Sequence, residues 1–201
     1  MTDTEKTLRE LLAQRILVLD GAMGTMIQSH KLDEAAFRGR RFANHCRDLR
    51  GCNDVLCLTQ SDLIAEIHFQ YLQAGADIVE TNTFNSTSVS MADYKLEADV
   101  YDINVAGARA AKKAVEAIIA KDPSRPRFVA GAIGPTNRTC SISTDVHSAA
   151  TRGVTYEELV QAYYDQARGL FDGGADILLV ETIFDTLNAK AAFFAIATLF
   201  D

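Results

Sequence analysis

The chain reads as an α/β domain in which parallel strands alternate with helices, and three observations predict it. A phrase recurs: Ala74-Gly75-Ala76-Asp77-Ile78-Val79-Glu80-Thr81 returns as Gly173-Gly174-Ala175-Asp176-Ile177-Leu178-Leu179-Val180-Glu181-Thr182. Each copy stops a helix at glycine, enters a short apolar run and ends on Glu-Thr. The apolar runs do not alternate with polar residues, which suits strands covered on both faces. The stretches between them carry helical periodicity.

Leu8, Leu11 and Leu12 give residues 5–14 a helical stripe. Residues 16–19 form an apolar run that ends at Asp20-Gly21, a first strand. A polar, arginine-rich segment (Arg38, Arg40, Arg41, Arg47, Arg50) then reaches about residue 60. It is either a solvated excursion or a lid, because connections above roughly 12–15 residues are usually functional or carry elements of their own. Ser61 is placed to cap a helix with Ile64, Ile67, Tyr71 and Leu72 inward, ended by Gly75. Ile78-Val79 opens the second strand. A helix over 98–121 turns Val105, Ala108, Ala111, Val115 and Ile118 to one side, and Pro123 and Pro126 forbid its continuation. Residues 127–133 are the third strand, and 138–154 a second polar loop. Thr155 and Glu158 have the capping-box spacing, opening a helix with Leu159, Tyr163, Ala167, Leu170 and Phe171 inward. Residues 176–180 are the fourth strand and 186–199 the last helix. Four such units make either half of a (βα)8 barrel or a small open doubly wound sheet, and spacing alone does not choose.

The net charge of -7 argues against a general nucleic-acid surface. No apolar run is long enough to span a bilayer, and the first residues lack a signal-peptide core. The 4 cysteines are too few for a disulfide framework, which fits a reducing cytoplasm. Cys46, Cys52 and Cys57, with His45, lack the close ligand pairing of a structural zinc site. Cys57 and His68 fall on apolar faces and read as packed side chains. No lysine stands at a strand end for Schiff-base chemistry, and no serine sits in a nucleophile elbow.

The strand exits gather the chemistry. Asp20-Gly21-Ala22-Met23-Gly24-Thr25 allows close main-chain approach to an anion, or is simply a tight turn. Glu80, Thr81, Asn82 and Thr83 follow the second strand; Gly134, Thr136 and Asn137 follow the third; Glu181 and Thr182 follow the fourth. Any one of these could cap a helix or brace a loop. In succession they converge on one rim, where α/β sheets bind ligands. Carboxylates ending apolar strands are costly unless paired, so they suit a polar, partly cationic small molecule.

Taken in order, several phrases resemble the homocysteine S-methyltransferase domain, and more narrowly the N-terminal module of cobalamin-dependent methionine synthases. They are Asp20-Gly21-Ala22-Met23-Gly24-Thr25-Met26, Gly51-Cys52-Asn53-Asp54 with Leu58-Thr59, Ala74 through Asn85, Gly134-Pro135-Thr136-Asn137, and Glu181-Thr182-Ile183-Phe184-Asp185-Thr186. The resemblance implies a (βα)8 barrel that binds homocysteine at the C-terminal ends of its strands. It implies a zinc ion on three cysteine thiolates that activates the sulfur, and methylcobalamin, recharged from methyltetrahydrofolate, as methyl donor. It assigns Asp20 and Glu181 to the amino group, Gly21 and Ala22 to main-chain contact with the carboxylate, and Glu80, Thr81 and Asn82 to the pocket lining.

The chain departs from that pattern. It has no Cys-Cys pair and its last cysteine is Cys140. Residues 1–201 are therefore expected to be the first four units of the barrel, a half barrel inactive alone. The zinc cysteines, the C-terminal half barrel and the folate and cobalamin modules are expected beyond Asp201, so that neither the zinc nor the cobalamin site lies here. Open edges predict association or poor solubility. The alternatives are a fragment using betaine or S-methylmethionine as donor, and a non-catalytic homocysteine-binding or remnant half barrel.

Overall fold

The computed structural model describes residues 2–145 and 147–201. Its sheet has three parallel strands, β1 (Ile78–Glu80), β2 (Phe128–Ile133) and β5 (Ile177–Val180), in the order β1-β2-β5. Ile78 stands opposite Phe128, and Gly131 opposite Leu178. The α/β class with parallel strands is as the sequence predicts. The expected first strand over 16–19 shrinks to a single bridge between Leu19 and Ile78. The Asp77 and Ile78 amides donate to the Val18 carbonyl at 2.7 and 3.1 Å. Neighboured on one side only, and with Ile16 88% exposed, this run lacks the second wall that makes a full strand.

Nine helices accompany these strands among the described residues: α1 (Asp3–Gln14), α2 (Met23–Ser29), α3 (Glu34–Arg38), α4 (Leu56–Thr59), α5 (Ser61–Ala74), α6 (Ser88–Met91), α7 (Val100–Ile119), α8 (Tyr156–Asp172) and α9 (Thr186–Phe200). Helix α5 packs on α7, α7 on α8 and α8 on α9, so the helices follow the strand order along one layer. Glycine sets their junctions: Gly75 (φ 116°) caps α5 and Gly174 (φ 96°) follows α8, both left-handed, where a Cβ would be strained. The capping box of Thr155 and Glu158 forms as predicted. Ser61 is not a cap: it is the first helical residue, and Gln60 precedes it without a capping side-chain bond. Phe171, expected inward on α8, is exposed and meets Phe200 edge to face.

The arginine-rich segment is not a solvated excursion. Ile27, Phe37, Phe42, Leu49, Val55 and Leu56 bury into a core shared with α5 and α7. The arginines stitch it together. Arg38 binds Glu34 at 2.6 Å and the His45 carbonyl at 2.6 Å, and Arg41 binds Asp99 and Asp102. The second polar loop carries an antiparallel pair, β3 (Ser143–Asp145) and β4 (Ser148–Arg152), that no alternation of polar and apolar residues announces.

The repeated phrase has a structural job at the strand entrances. Asp77 accepts the Val18 amide at 3.0 Å and Asp176 accepts the Val129 amide at 2.8 Å. Each also holds a cation from elsewhere in the chain: Arg15 and Arg125 on Asp77, Lys112 on Asp176. Burial alone would raise the Asp77 carboxyl, but hydrogen bonds from Arg15, Val18 and Arg125 outweigh it and hold the group below the usual carboxylate range.

Candidate active site

At the opposite, C-terminal end of the strands lies a cavity of about 290 Å³. Strand β1 delivers Glu80 as its last residue, and Thr81 and Asn82 follow. The edge segment delivers Asp20, Gly21 and Ala22, and Glu181 follows β5. All seven residues that the family resemblance assigned to the pocket thus line one cavity, while Thr83 and Thr182, also read as rim residues, are not among its lining. The exit of β2 contributes only Ala132. Gly134, Thr136 and Asn137 are occupied elsewhere. A Cβ on Gly134 would stand 2.5 Å from the Phe84 carbonyl, Thr136 donates to the Arg138 carbonyl, and Asn137 donates to Asp93.

Buried and partly buried hydrogen bonds hold the lining in place. Asp20 Oδ1 accepts the Glu80 amide at 2.8 Å, which ties the edge segment to β1. Thr81 Oγ1 accepts the Ala132 amide and Thr83 Oγ1 donates to the Ala132 carbonyl, both at 2.9 Å, which ties β1 to β2. Gln166 of α8 donates to the Thr83 carbonyl at 2.8 Å. Asn82 donates to the Asn53 carbonyl at 2.7 Å and so brings the arginine-rich segment to the rim.

That segment supplies two residues the sequence reading did not place in the site, Asn53 and Asp54, while Met23 and Gly24 of the turn phrase read as a main-chain anion contact also line it. Asp54 is buried, and its Oδ1 accepts the Asn85 amide and the Ser86 hydroxyl, both at 2.8 Å. The Gly51-Cys52-Asn53-Asp54 phrase was the available signal; nothing in the sequence marked Ala132. Two bends at the cavity are strained. Ala22 has φ 47° and Thr182, next to Glu181, has φ 54°, a conformation costly for a β-branched residue and common at functional positions.

The electrostatics are one-sided. Asp20, Asp54, Glu80 and Glu181 face the cavity, and no lysine, arginine or histidine is among its lining residues. Burial, reinforced by the charges of Glu181 and Asp20, pushes the Glu80 carboxyl up to about 7. Burial also raises Glu181, against the Thr182 hydroxyl bond and with Asp20 adding to it. Such a site is short of a cation.

The cysteines do not complete a metal centre. Among the described residues no three His, Cys, Asp or Glu side chains are grouped to hold an ion. Cys46 is exposed, while Cys52, Cys57 and Cys140 are buried and apart from it in environment. Burial and the nearby Asp54 push the Cys52 thiol up to about 12 and raise Cys57 as well, opposite to what a thiolate ligand needs. Cys57 donates to the Asn82 carbonyl at 3.2 Å, a packed thiol as predicted.

The family model for homocysteine S-methyltransferase matches residues 17–200. The chain belongs to this family. Its fold is similar to that of the homocysteine methyltransferase MmuM from Escherichia coli. The oxidized form aligns with a TM-score of 0.72 and 25% identity over 95% of this chain and 61% of the other. The metallated form gives a TM-score of 0.72 and 24% identity over 95% and 62%. The chain therefore spans about three fifths of the length of these relatives.

Proposed function

We propose that this chain is the homocysteine-holding part of a methyltransferase that forms methionine. The observation that carries the reading is the cavity itself: carboxylates from four separate segments face one space that no basic side chain lines. An α-amino acid's ammonium supplies the missing cation. Asp20 and Glu181 receive the ammonium, Gly21 and Ala22 offer main chain to the carboxylate, and Glu80, Thr81 and Asn82 shape the pocket around the side chain. In the reaction, the homocysteine sulfur bonds to the methyl carbon, the bond from donor to carbon breaks with its electrons leaving on the donor, and the thiol proton passes to solvent.

The phrase-level resemblance favours methylcobalamin, recharged from methyltetrahydrofolate, as donor in a cytoplasmic methionine-forming enzyme; betaine or S-methylmethionine is the alternative. Zinc would supply thiol activation. The cysteines described here do not fit it, so in this reading its thiolates, like the rest of a (βα)8 barrel and the folate and cobalamin modules, come from protein outside residues 1–201. The same misfit supports a second reading, a non-catalytic homocysteine-binding half barrel.

Calorimetry tests the proposal. Homocysteine should bind the 201-residue chain, its analogue lacking the amino group should not, and Asp20→Asn or Glu181→Gln should weaken binding at least ~10-fold. Equal affinity for homocysteine and the des-amino analogue would overturn it.

A further inference from the structure

His68 lies on α5 and is wholly buried, 0% exposed, yet it does not line the cavity. Among the described residues neither of its ring nitrogens has a hydrogen-bond partner. Leaving both unpaired in a tightly packed core is unusual, because buried polar groups are nearly always bonded. Its nearest charged group is Asp20: Nδ1 stands 3.9 Å from Oδ2, and the Asp20 side chain is only 3% exposed. The other carboxylate oxygen, Oδ1, is already committed to the Glu80 amide. Oδ2 is thus the free oxygen of a cavity-lining carboxylate, and the unpartnered imidazole stands about 0.7 Å beyond the usual hydrogen-bond range of it.

We infer that His68 is a positioning residue for Asp20, donating from Nδ1 to Oδ2 and so fixing the carboxylate that meets the ligand's ammonium. The inference rests on the proposed function for the ligand's identity, but not for the pairing itself. With one donor on each oxygen, Asp20 is held by two anchors, and each oxygen keeps a lone pair for the ligand. A carboxylate so fixed loses less freedom on binding than one held at a single oxygen. The ring reaches Asp20 without touching the ligand, as outer partners of a binding carboxylate do.

Two measurements on the 201-residue chain separate this role from simple packing. The first is ¹⁵N NMR of the histidine rings, with His68 assigned by its loss in His68→Asn. The expected result is the Nδ1–H tautomer, with ring resonances that move in Asp20→Asn. The Nε2–H tautomer with resonances unchanged in Asp20→Asn would overturn the inference, whether or not any ligand binds. The second is calorimetry with homocysteine. His68→Leu should weaken binding roughly tenfold, while His68→Asn, whose amide can donate from nearly the same place, should stay within about threefold of the parent. Equal losses in both variants, or none in either, would also overturn it. If the parent chain binds no homocysteine, the proposed function fails while the ring spectra still decide the role of His68.

Discussion

Glu80 is the side chain whose protonation is most exposed to test. Its carboxyl sits at about 7 in the folded protein, raised by burial and by Glu181 and Asp20, and near the ordinary 4.5 when unfolded. The folded state therefore holds the proton more tightly between those values. Stability contributed by this group is complete below about pH 4.5 and is lost as pH rises through 7. Urea unfolding across pH 4.5–8 should show this decline, and Glu80→Gln should flatten it. A bound ammonium reverses the preference, so homocysteine should expel a proton from the wild-type chain near pH 6.5, measurable as buffer-dependent calorimetric heat, and not from Glu80→Gln. Asp77 behaves oppositely. Its carboxyl is held low by Arg15 and Arg125, so its contribution is present above the usual carboxylate range and disappears in acid. Asp77→Asn should cost about 2–3 kcal/mol at pH 7 by denaturant unfolding. That is below the usual loss for a broken buried pair, because both arginines remain partly solvated.

The strand exits and the elements behind them decide the shape of the cavity. The residue that follows β2 approaches the segment after β1 so closely that only glycine fits at 134, against the Phe84 carbonyl and ring. Phe84 is itself part of the cavity lining. Gly134→Ala should therefore displace Phe84 and weaken ligand binding by about tenfold, with a stability loss of about 1–3 kcal/mol from overpacking. Calorimetry and thermal unfolding on the same sample separate the two effects. Much of this arrangement could be read from the chain. Glu80 and Glu181 end apolar runs of the same phrase, and such runs in parallel register must end on one rim. Ser61 and Phe171 could not be placed. A helix start moves by one residue when Gln60 supplies the preceding turn, and periodicity does not reveal which apolar side chain at a helix end still has a neighbour. The hairpin of β3 and β4 was hidden for a related reason, since Ser143–Asp145 and Ser148–Arg152 carry no alternation of polar and apolar residues.

Over the molecule as a whole, apolar surface collects at the two lateral limits of the sheet. Ile16, Val18 and Leu19 are exposed beside β1. Phe184, Leu187, Phe193, Phe194 and Phe200 are exposed on and before α9, beyond β5. Helix α1 forms as predicted but buries no residue. Patches of this kind drive association. The 201-residue chain should sediment as a concentration-dependent oligomer, and Phe193→Glu, placed on a side chain 61% exposed, should shift it toward monomer without lowering its melting temperature. A monodisperse monomer at high concentration would contradict this.

The sequence by itself determined the α/β class, the helix stops at Gly75 and Gly174, the capping box at Thr155, and the set Asp20, Gly21, Ala22, Glu80, Thr81, Asn82 and Glu181. The fold features follow from local rules, backbone freedom at glycine and end-capping; the seven residues came from the resemblance of their phrases to the family, helped at Glu80 and Glu181 by the polarity switch where a buried run meets the surface. Only the tertiary structure decided that Asn53 and Asp54 complete the cavity, that the run at 16–19 is a single bridge, and that His68 stands behind Asp20. Each of those depends on which distant segment supplies the opposing wall or partner, and a one-dimensional pattern holds no record of that.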